Sequence, residues 1–199
     1  MIISELIEGK IRQTDVGAKD FAKEYDIIVV GMGVAGCMAV LSAAKKGLRV
    51  LGIDPMNCMG GMCTAGAVFG YYFGSKGGLY EQIDKKVFEM EKKGYAPSTA
   101  INPEMKKYIL EAEALSNGAV LCYESFLTGV YLEGNKVVGV RWFGPDGEKE
   151  AASKVVIDGT GDAFLCQMAG CELKKGRDID GQGQPFSNAL VTLNGDGKV

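Results

Sequence analysis

Residues 25–54 read YDIIVVGMGVAGCMAVLSAAKKGLRVLGID, and the order of parts within them decides the fold. Ile27, Ile28, Val29 and Val30 make a short unbroken apolar run, the pattern of a strand buried on both faces of a parallel sheet. Gly31, Gly33 and Gly36 follow with G-x-G-x-x-G spacing. An Ala-rich helical pattern runs from Val34 to about Lys46 and closes on Gly47. A second apolar run, Val50 to Ile53, ends on Asp54. Strand, glycine turn, helix, strand and acid in this order form one βαβ unit. Each residue type has a physical task. Gly31 lets the chain turn sharply out of the strand, Gly33 leaves the backbone bare for a pyrophosphate, and Gly36 lets the helix lie close to the sheet. The N–H groups of Val34 and Ala35 carry the positive end of the helix dipole and suit a phosphate. The Asp54 carboxylate suits ribose hydroxyls and would repel a 2′-phosphate.

Composition narrows the alternatives. A chain of 199 residues can bury roughly 70% of its unfolded surface, enough for one domain with a core. Hydrophobic residues are 47% and charged residues 24%, an ordinary globular profile. Glycine is 29 of 199, about twice the usual roughly 7%, and many of these glycines fall in the motifs, as expected for backbone wrapped around a ligand. The net charge of −3 argues against nucleic acid as a partner. No apolar run reaches ~18 residues, so no membrane span is expected. Glu5, Glu8 and Lys10 interrupt the apolar core a signal peptide would need, which points to a cytoplasmic protein. The chain has no histidine, and its six cysteines form no C-x-x-C pair. A metal site is therefore not expected, and no histidine general base is on offer.

Outward from the βαβ unit, Met1 to Glu24 is expected as a lead segment packing on the domain or on another chain. Ile2, Ile3, Leu6 and Ile7 in it sit at helical spacing that Gly9 interrupts. Pro55 to Gly78 is glycine-rich, with Met and Cys interleaved and no clear period. It reads as a loop lying against the ligand. Leu79 to Lys93 predicts an amphipathic helix stopped by Gly94, Pro97 to Pro103 a loop, and Pro103 to Ser116 a second helix with proline near its start. Short strands follow at Ala119–Tyr123, Leu127–Glu133, Lys136–Phe143 and Ala152–Ile157, separated by turn residues such as Gly134-Asn135 and Pro145-Asp146-Gly147. Trp142 among them is expected to pack. The last strand runs into Asp158-Gly159-Thr160-Gly161-Asp162 before a short helix, a second turn at the carboxyl edge of the sheet, where ligands sit. Beyond Glu172 only Ala189–Leu193 looks like a strand. The expected fold is α/β: a Rossmann-like parallel sheet with helices on both faces and an inserted antiparallel β-meander, about 127–151, within a domain spanning 25–171. Residues 172–199 read as the start of a further substrate or cap domain, or as an irregular tail.

Two blocks tie these features to a family. Gly60-Gly61-Met62-Cys63-Thr64-Ala65-Gly66 fits the pattern GGM-x-T-x-G after the second strand, and Ile157-Asp158-Gly159-Thr160-Gly161-Asp162 fits I-D-x-T-G-D. A weaker third block is Gly176-Arg177 with Asp180-Gly181 and Gln184-Pro185. From about Tyr25 to Pro185 the chain resembles the FAD-dependent oxidoreductases, flavoproteins of the glutathione-reductase-like and fumarate-reductase-like kind. The resemblance implies FAD as cofactor. It implies that Gly31, Gly33, Val34, Ala35 and Gly36 hold the pyrophosphate, and that Asp54, with Pro55 beside it, holds the adenosine ribose. Gly60, Gly61 and Met62 would lie along the ribityl chain and flavin, Phe126 would edge the adenine, and Thr160, Gly161 and Asp162 would contact the pyrophosphate and ribityl region. Cys58 and Cys63 share the C-x4-C spacing of disulfide reductases but flank Gly60-Gly61 instead of following it, so they are expected as buried, loop-packing thiols.

The chain departs from the family in length, in the last flavin-contacting strand and helix, and in lacking a histidine for covalent attachment. Catalytic groups in relatives come largely from the part not seen here, so none is named. The resulting expectation is the FAD-binding part of an oxidoreductase acting by hydride transfer on a small-molecule substrate, completed by a second polypeptide or further domain, or associating as a homo-oligomer. The alternative is a non-catalytic nucleotide-binding or assembly subunit.

Overall fold

The computed structural model describes residues 1–68, 77–92 and 101–185. Its chain opens on a hairpin. β1 (Ile2–Ile7) pairs antiparallel with β2 (Lys10–Asp15), from Ile2 opposite Asp15 to Ile7 opposite Lys10. Between them Glu8 and Gly9 both take positive φ, 51° and 74°, the two-residue turn whose twist matches that of its strands. The helical spacing of Ile2, Ile3, Leu6 and Ile7 is thus overruled. Gly9, which would break a helix, is half of a hairpin turn, and the far side of β1 finds a partner strand 120 or more residues away, from Ile2 opposite Leu132 to Ser4 opposite Val130. The segment does pack on the domain as expected. Ile3 and Ser4 are buried, and the Ser4 hydroxyl donates to the Met168 carbonyl at 2.6 Å. The outer strand β2 is exposed throughout and carries Lys10, Arg12 and Asp15, charges that discourage a further strand from adding at that edge.

The βαβ unit follows: β3 (Glu24–Val30), α1 (Val34–Ala44) and β4 (Val50–Ile53). After β4 a 3-10 turn forms at Gly61–Cys63, and α2 (Gly78–Met90) and α3 (Pro103–Ser116) follow. Proline at the first turn and the Asn102 side chain, which accepts from the Glu104 and Met105 N–H groups at 2.9 and 3.1 Å, fix the start of α3. Gly94, expected to stop α2, and Pro97 of the loop beyond it lie outside the described residues, as does the strand expected at Ala189–Leu193. The chain continues through β5 (Val120–Cys122), β6 (Phe126–Glu133), β7 (Lys136–Gly144), β8 (Gly147–Asp158) and α4 (Phe164–Met168). Residues 172–185 form no helix or strand.

Among the described residues all eight strands share one sheet, in the order β2-β1-β6-β7-β8-β3-β4-β5. The meander is expected to stop near 151 and a separate parallel strand to begin at 152. The structure makes them one strand of 12 residues. The first half of β8 pairs antiparallel with β7, up to Gly139 opposite Ala152, and the second half pairs parallel with β3, from Glu24 beside Ala152 to Val30 beside Asp158. Pleating sends alternate residues of β3 to opposite faces. Val29 joins the core built with Cys37, Val40, Leu41, Ile83, Val87, Ile109 and Leu110 of the three longer helices. Ile28 and Val30 join Leu51, Ile53, Val130, Val140 and Trp142, closed over by Leu165 and Met168 at α4. Each fully buried aliphatic side chain here contributes about 1.5–3 kcal/mol. Between α2 and α3, the Lys106 ammonium is almost wholly buried, 2.7 Å from the Asp84 carboxylate and 4.0 Å from the centre of the Tyr80 ring.

Candidate functional site

β3, β4 and β8 run parallel, so their carboxyl ends lie together, Val30 level with both Ile53 and Asp158. The sheet reverses its winding at β3: α1 carries the chain to β4 on one side, while β8 arrives on the other. A crevice at such a switch point is where open α/β sheets bind ligands. Three turns meet there and are stitched by backbone. The Gly31 N–H donates to the Ile53 carbonyl at 2.7 Å, the Gly159 N–H to the Val30 carbonyl at 2.7 Å, and the Gly60 N–H to the Met32 carbonyl at 2.8 Å.

Glycine makes this meeting possible. Gly31 has φ +87°, and a Cβ on it would overlap the Gly159 carbonyl and lie 2.6 Å from the Thr160 nitrogen. A Cβ on Gly36 or on Gly159 would overlap the Gly31 carbonyl oxygen. Gly61, at φ +50°, would press a Cβ to 2.9 Å from the Gly33 Cα. Gly33 is different. Its φ is −63°, and a Cβ there would meet nothing closer than the Gly159 oxygen at 3.9 Å. The protein's own packing does not demand glycine at 33. The space a side chain would fill lies at the first turn of α1, where no side chain caps the helix and no acid stands in its first turn. The leading N–H groups of a helix have no acceptor within it. Val34 is half-exposed and Ala35 exposed, so a diphosphate fits this cradle by chemistry and by room.

Asp54 is buried at the end of β4. Its carboxylate accepts from the Met32 N–H, inside the glycine turn, and from the Met56 N–H at 2.8 Å. It therefore ties the turn to β4, a task the sequence did not reveal. A carboxylate offers about four lone-pair sites, which leaves capacity for the hydroxyls expected there. Backbone bonds from Ser125 to Asp54 at 3.0 Å and from Glu124 to Met56 at 3.1 Å bring the start of β6 alongside, with Phe126 exposed at its head. Pro55, Met62, Gly161 and Asp162 lie at the surface.

The third turn is organised by Asp158, to which no role was assigned from sequence. Its carboxylate accepts from the Thr160 N–H at 2.9 Å and hydroxyl at 2.7 Å, and from the Cys166 N–H at 2.9 Å. Burial works against this charge, but the hydrogen bonds from Thr160 and Cys166 outweigh it and hold its pKa below the ordinary value. The Thr160 hydroxyl also accepts from the Phe164 N–H at 2.7 Å. That side chain is spent on the turn, and Thr160 can meet a ligand mainly through its edge and backbone. The acidic block signalled Asp158; the part played by Gly159 needs the facing turn to be seen. Cys58 and Cys63 are free and buried as expected. The Cys63 thiol donates to the Gly60 carbonyl at 3.1 Å, and burial raises its pKa.

Residues 26–197 match the model of the family described as FAD dependent oxidoreductase. The tRNA uridine 5-carboxymethylaminomethyl modification enzyme MnmG of Streptococcus pneumoniae (strain Hungary19A-6) is 29% identical over 175 residues, 77% of this chain and 26% of the relative. Digeranylgeranylglycerophospholipid reductase 2 of Methanothermobacter thermautotrophicus is 28% identical over 170 residues, 75% of this chain and 43% of the relative. The chain thus spans about a quarter of the length of the first of these relatives. Among solved structures, L-proline dehydrogenase from P. horikoshii matches with TM-score 0.55 at 16% identity, over 74% of this chain and 56% of that one. The flavin-dependent brominase Bmp2 matches with TM-score 0.53 at 21% identity, over 74% and 41%. Both share the fold. Among the described residues no helix is long and apolar enough to cross a membrane.

Proposed function

The chain belongs to the FAD dependent oxidoreductase family, whose cofactor is FAD, and from that premise we propose that residues 31–36 seat the FAD diphosphate while Asp54 takes the adenosine ribose. The observation that carries this reading is Gly33, a glycine that neither φ nor packing requires, at the uncapped head of α1. Gly60, Gly61 and Met62 line the flavin side, Phe126 edges the adenine, and Thr160, Gly161 and Asp162 close the far wall. When bound, FAD would supply hydride acceptance at its N5. The protein's part is to neutralise the diphosphate with the α1 amides, orient the ribose, and keep the three turns in register.

The substrate side of the reaction belongs outside this segment. By their names, the two curated relatives act on a tRNA uridine and on a geranylgeranyl lipid, yet both match most of this chain, which supports reading it as the nucleotide seat. A further domain or partner chain would then supply the catalytic groups and the small-molecule site. Titration of the purified chain with FAD, followed by flavin fluorescence, tests the reading. Saturable binding that ADP competes away is expected. No binding, with no flavin released from gently purified protein on mass spectrometry, would overturn it.

A further inference from the structure

The end of α4 places two cysteines side by side. The Cys171 N–H donates to the Cys166 carbonyl at 3.0 Å, the Gly170 N–H donates to the Gln167 carbonyl at 3.0 Å, and Gly170 takes φ +79°. These two bonds around a left-handed glycine form a Schellman closure, in which the side chains at the two ends of the longer bond commonly touch. Where most helices place apolar groups, this one places Cys166 and Cys171. Both are free thiols, Cys171 exposed and Cys166 half-buried. The closure brings the two backbones into direct contact, the proximity a disulfide needs, since bridged Cα atoms lie about 4.4–6.8 Å apart.

We propose that Cys166 and Cys171 form a vicinal dithiol site that closes to an intramolecular disulfide by exchange with low-molecular-weight disulfides. Cys171, the exposed member, is the first nucleophile. Its thiolate attacks one sulfur of R–S–S–R, that bond breaks, and the departing RS⁻ takes up a proton equivalent to the one Cys171 lost. Cys166 then gives up its proton and attacks the Cys171 sulfur of the mixed disulfide, displacing the second RS⁻, which is protonated in turn. Two cysteine thiols are oxidised and one reagent disulfide is reduced to two RSH. Burial, with the Asp158 carboxylate next, pushes the Cys166 thiol up to about 11, so Cys166 follows as the second nucleophile and does not lead. The site stands apart from the flavin reading and holds whether or not the chain retains FAD.

The test uses the full chain with oxidised glutathione, thiol counting and peptide mapping under non-reducing conditions. The expected result is the joint loss of two thiols per chain, a peptide linking 166 to 171, and no retained glutathione. Prior addition of phenylarsine oxide, which bridges paired thiols, should block the loss at one equivalent. In Cys166→Ser, glutathione should stay trapped on Cys171, and phenylarsine oxide should bind at least tenfold more weakly. Peptide mapping of the unaltered protein decides the matter even if that variant fails to fold. Stable glutathione on Cys171 of the unaltered chain, a bridge from Cys171 to any other cysteine, or no loss of thiols would each overturn the proposal.

Discussion

Glycine does different work in the hairpin turns and in the junction at the ends of β3, β4 and β8. At Gly9, Gly134 and Gly147 φ is positive and a Cβ would meet nothing within 4 Å. These glycines are there for backbone conformation. At Gly36 and Gly159 φ is not in the left-handed range, but a Cβ would overlap the Gly31 carbonyl. These are there because backbone lies against backbone. Gly33 shares neither reason, and in the proposed reading it is kept bare for the FAD diphosphate. Glycine content alone could not make that distinction; the distance from each missing Cβ to its nearest neighbour does.

Gly36→Ala strikes the junction at its tightest contact. Because the obstruction is backbone, which cannot swing aside, a loss of about 3 kcal/mol or more is expected in denaturant unfolding. A loss below about 1 kcal/mol would mean that the turns are not packed as described. Asp158→Asn removes the charged acceptor from the third turn and should cost about 1.5 kcal/mol at pH 7. The folded-state pKa of Asp158 is depressed, so its stabilisation is present above the unfolded value of about 3.9 and lost as pH falls through the folded value. The difference between the two proteins should therefore shrink below about pH 4, and a pH-independent difference would remove the carboxylate from the explanation.

Gly33→Ser separates the two kinds of glycine within one variant. Serine is a favoured N-cap, so thermal stability of the flavin-free chain should rise by a few tenths of a kcal/mol, while FAD binding weakens at least tenfold, about 1.4 kcal/mol. Unchanged affinity would return Gly33 to the structural class. The smallest effect is expected in the hairpin. Glu8 holds φ +51° without being glycine, and Glu8→Asn, which tolerates that conformation, should stabilise by about 0.5 kcal/mol and leave FAD binding untouched.

Much of the architecture was legible residue by residue. The run Ile27–Val30, the three glycines and Asp54 place β3, α1 and β4, and Pro103 places the start of α3, because helix starts and buried strands obey local rules. The hairpin was not legible. Ile2, Ile3, Leu6 and Ile7 satisfy a helical period as well as they fit a strand, and the choice rests on hydrogen bonds to β6. The unbroken β8 was hidden for the same reason: its halves serve different neighbours, one antiparallel and one parallel, and no local period records a change of partner. In the site, the expected phosphate cradle was visible as spacing. The tie from Asp54 to Met32 and the meeting of Gly159 with Gly31 were not.

The order of residues 25–54, read with no coordinates, suffices to specify the βαβ unit and its glycine turn, since helix initiation, strand burial and glycine turns depend on neighbours in the chain. Which glycines are needed for close approach and which carboxylate braces which loop emerge from folding alone. They depend on contacts between segments far apart in sequence, and the distances that set them exist only once the sheet has formed.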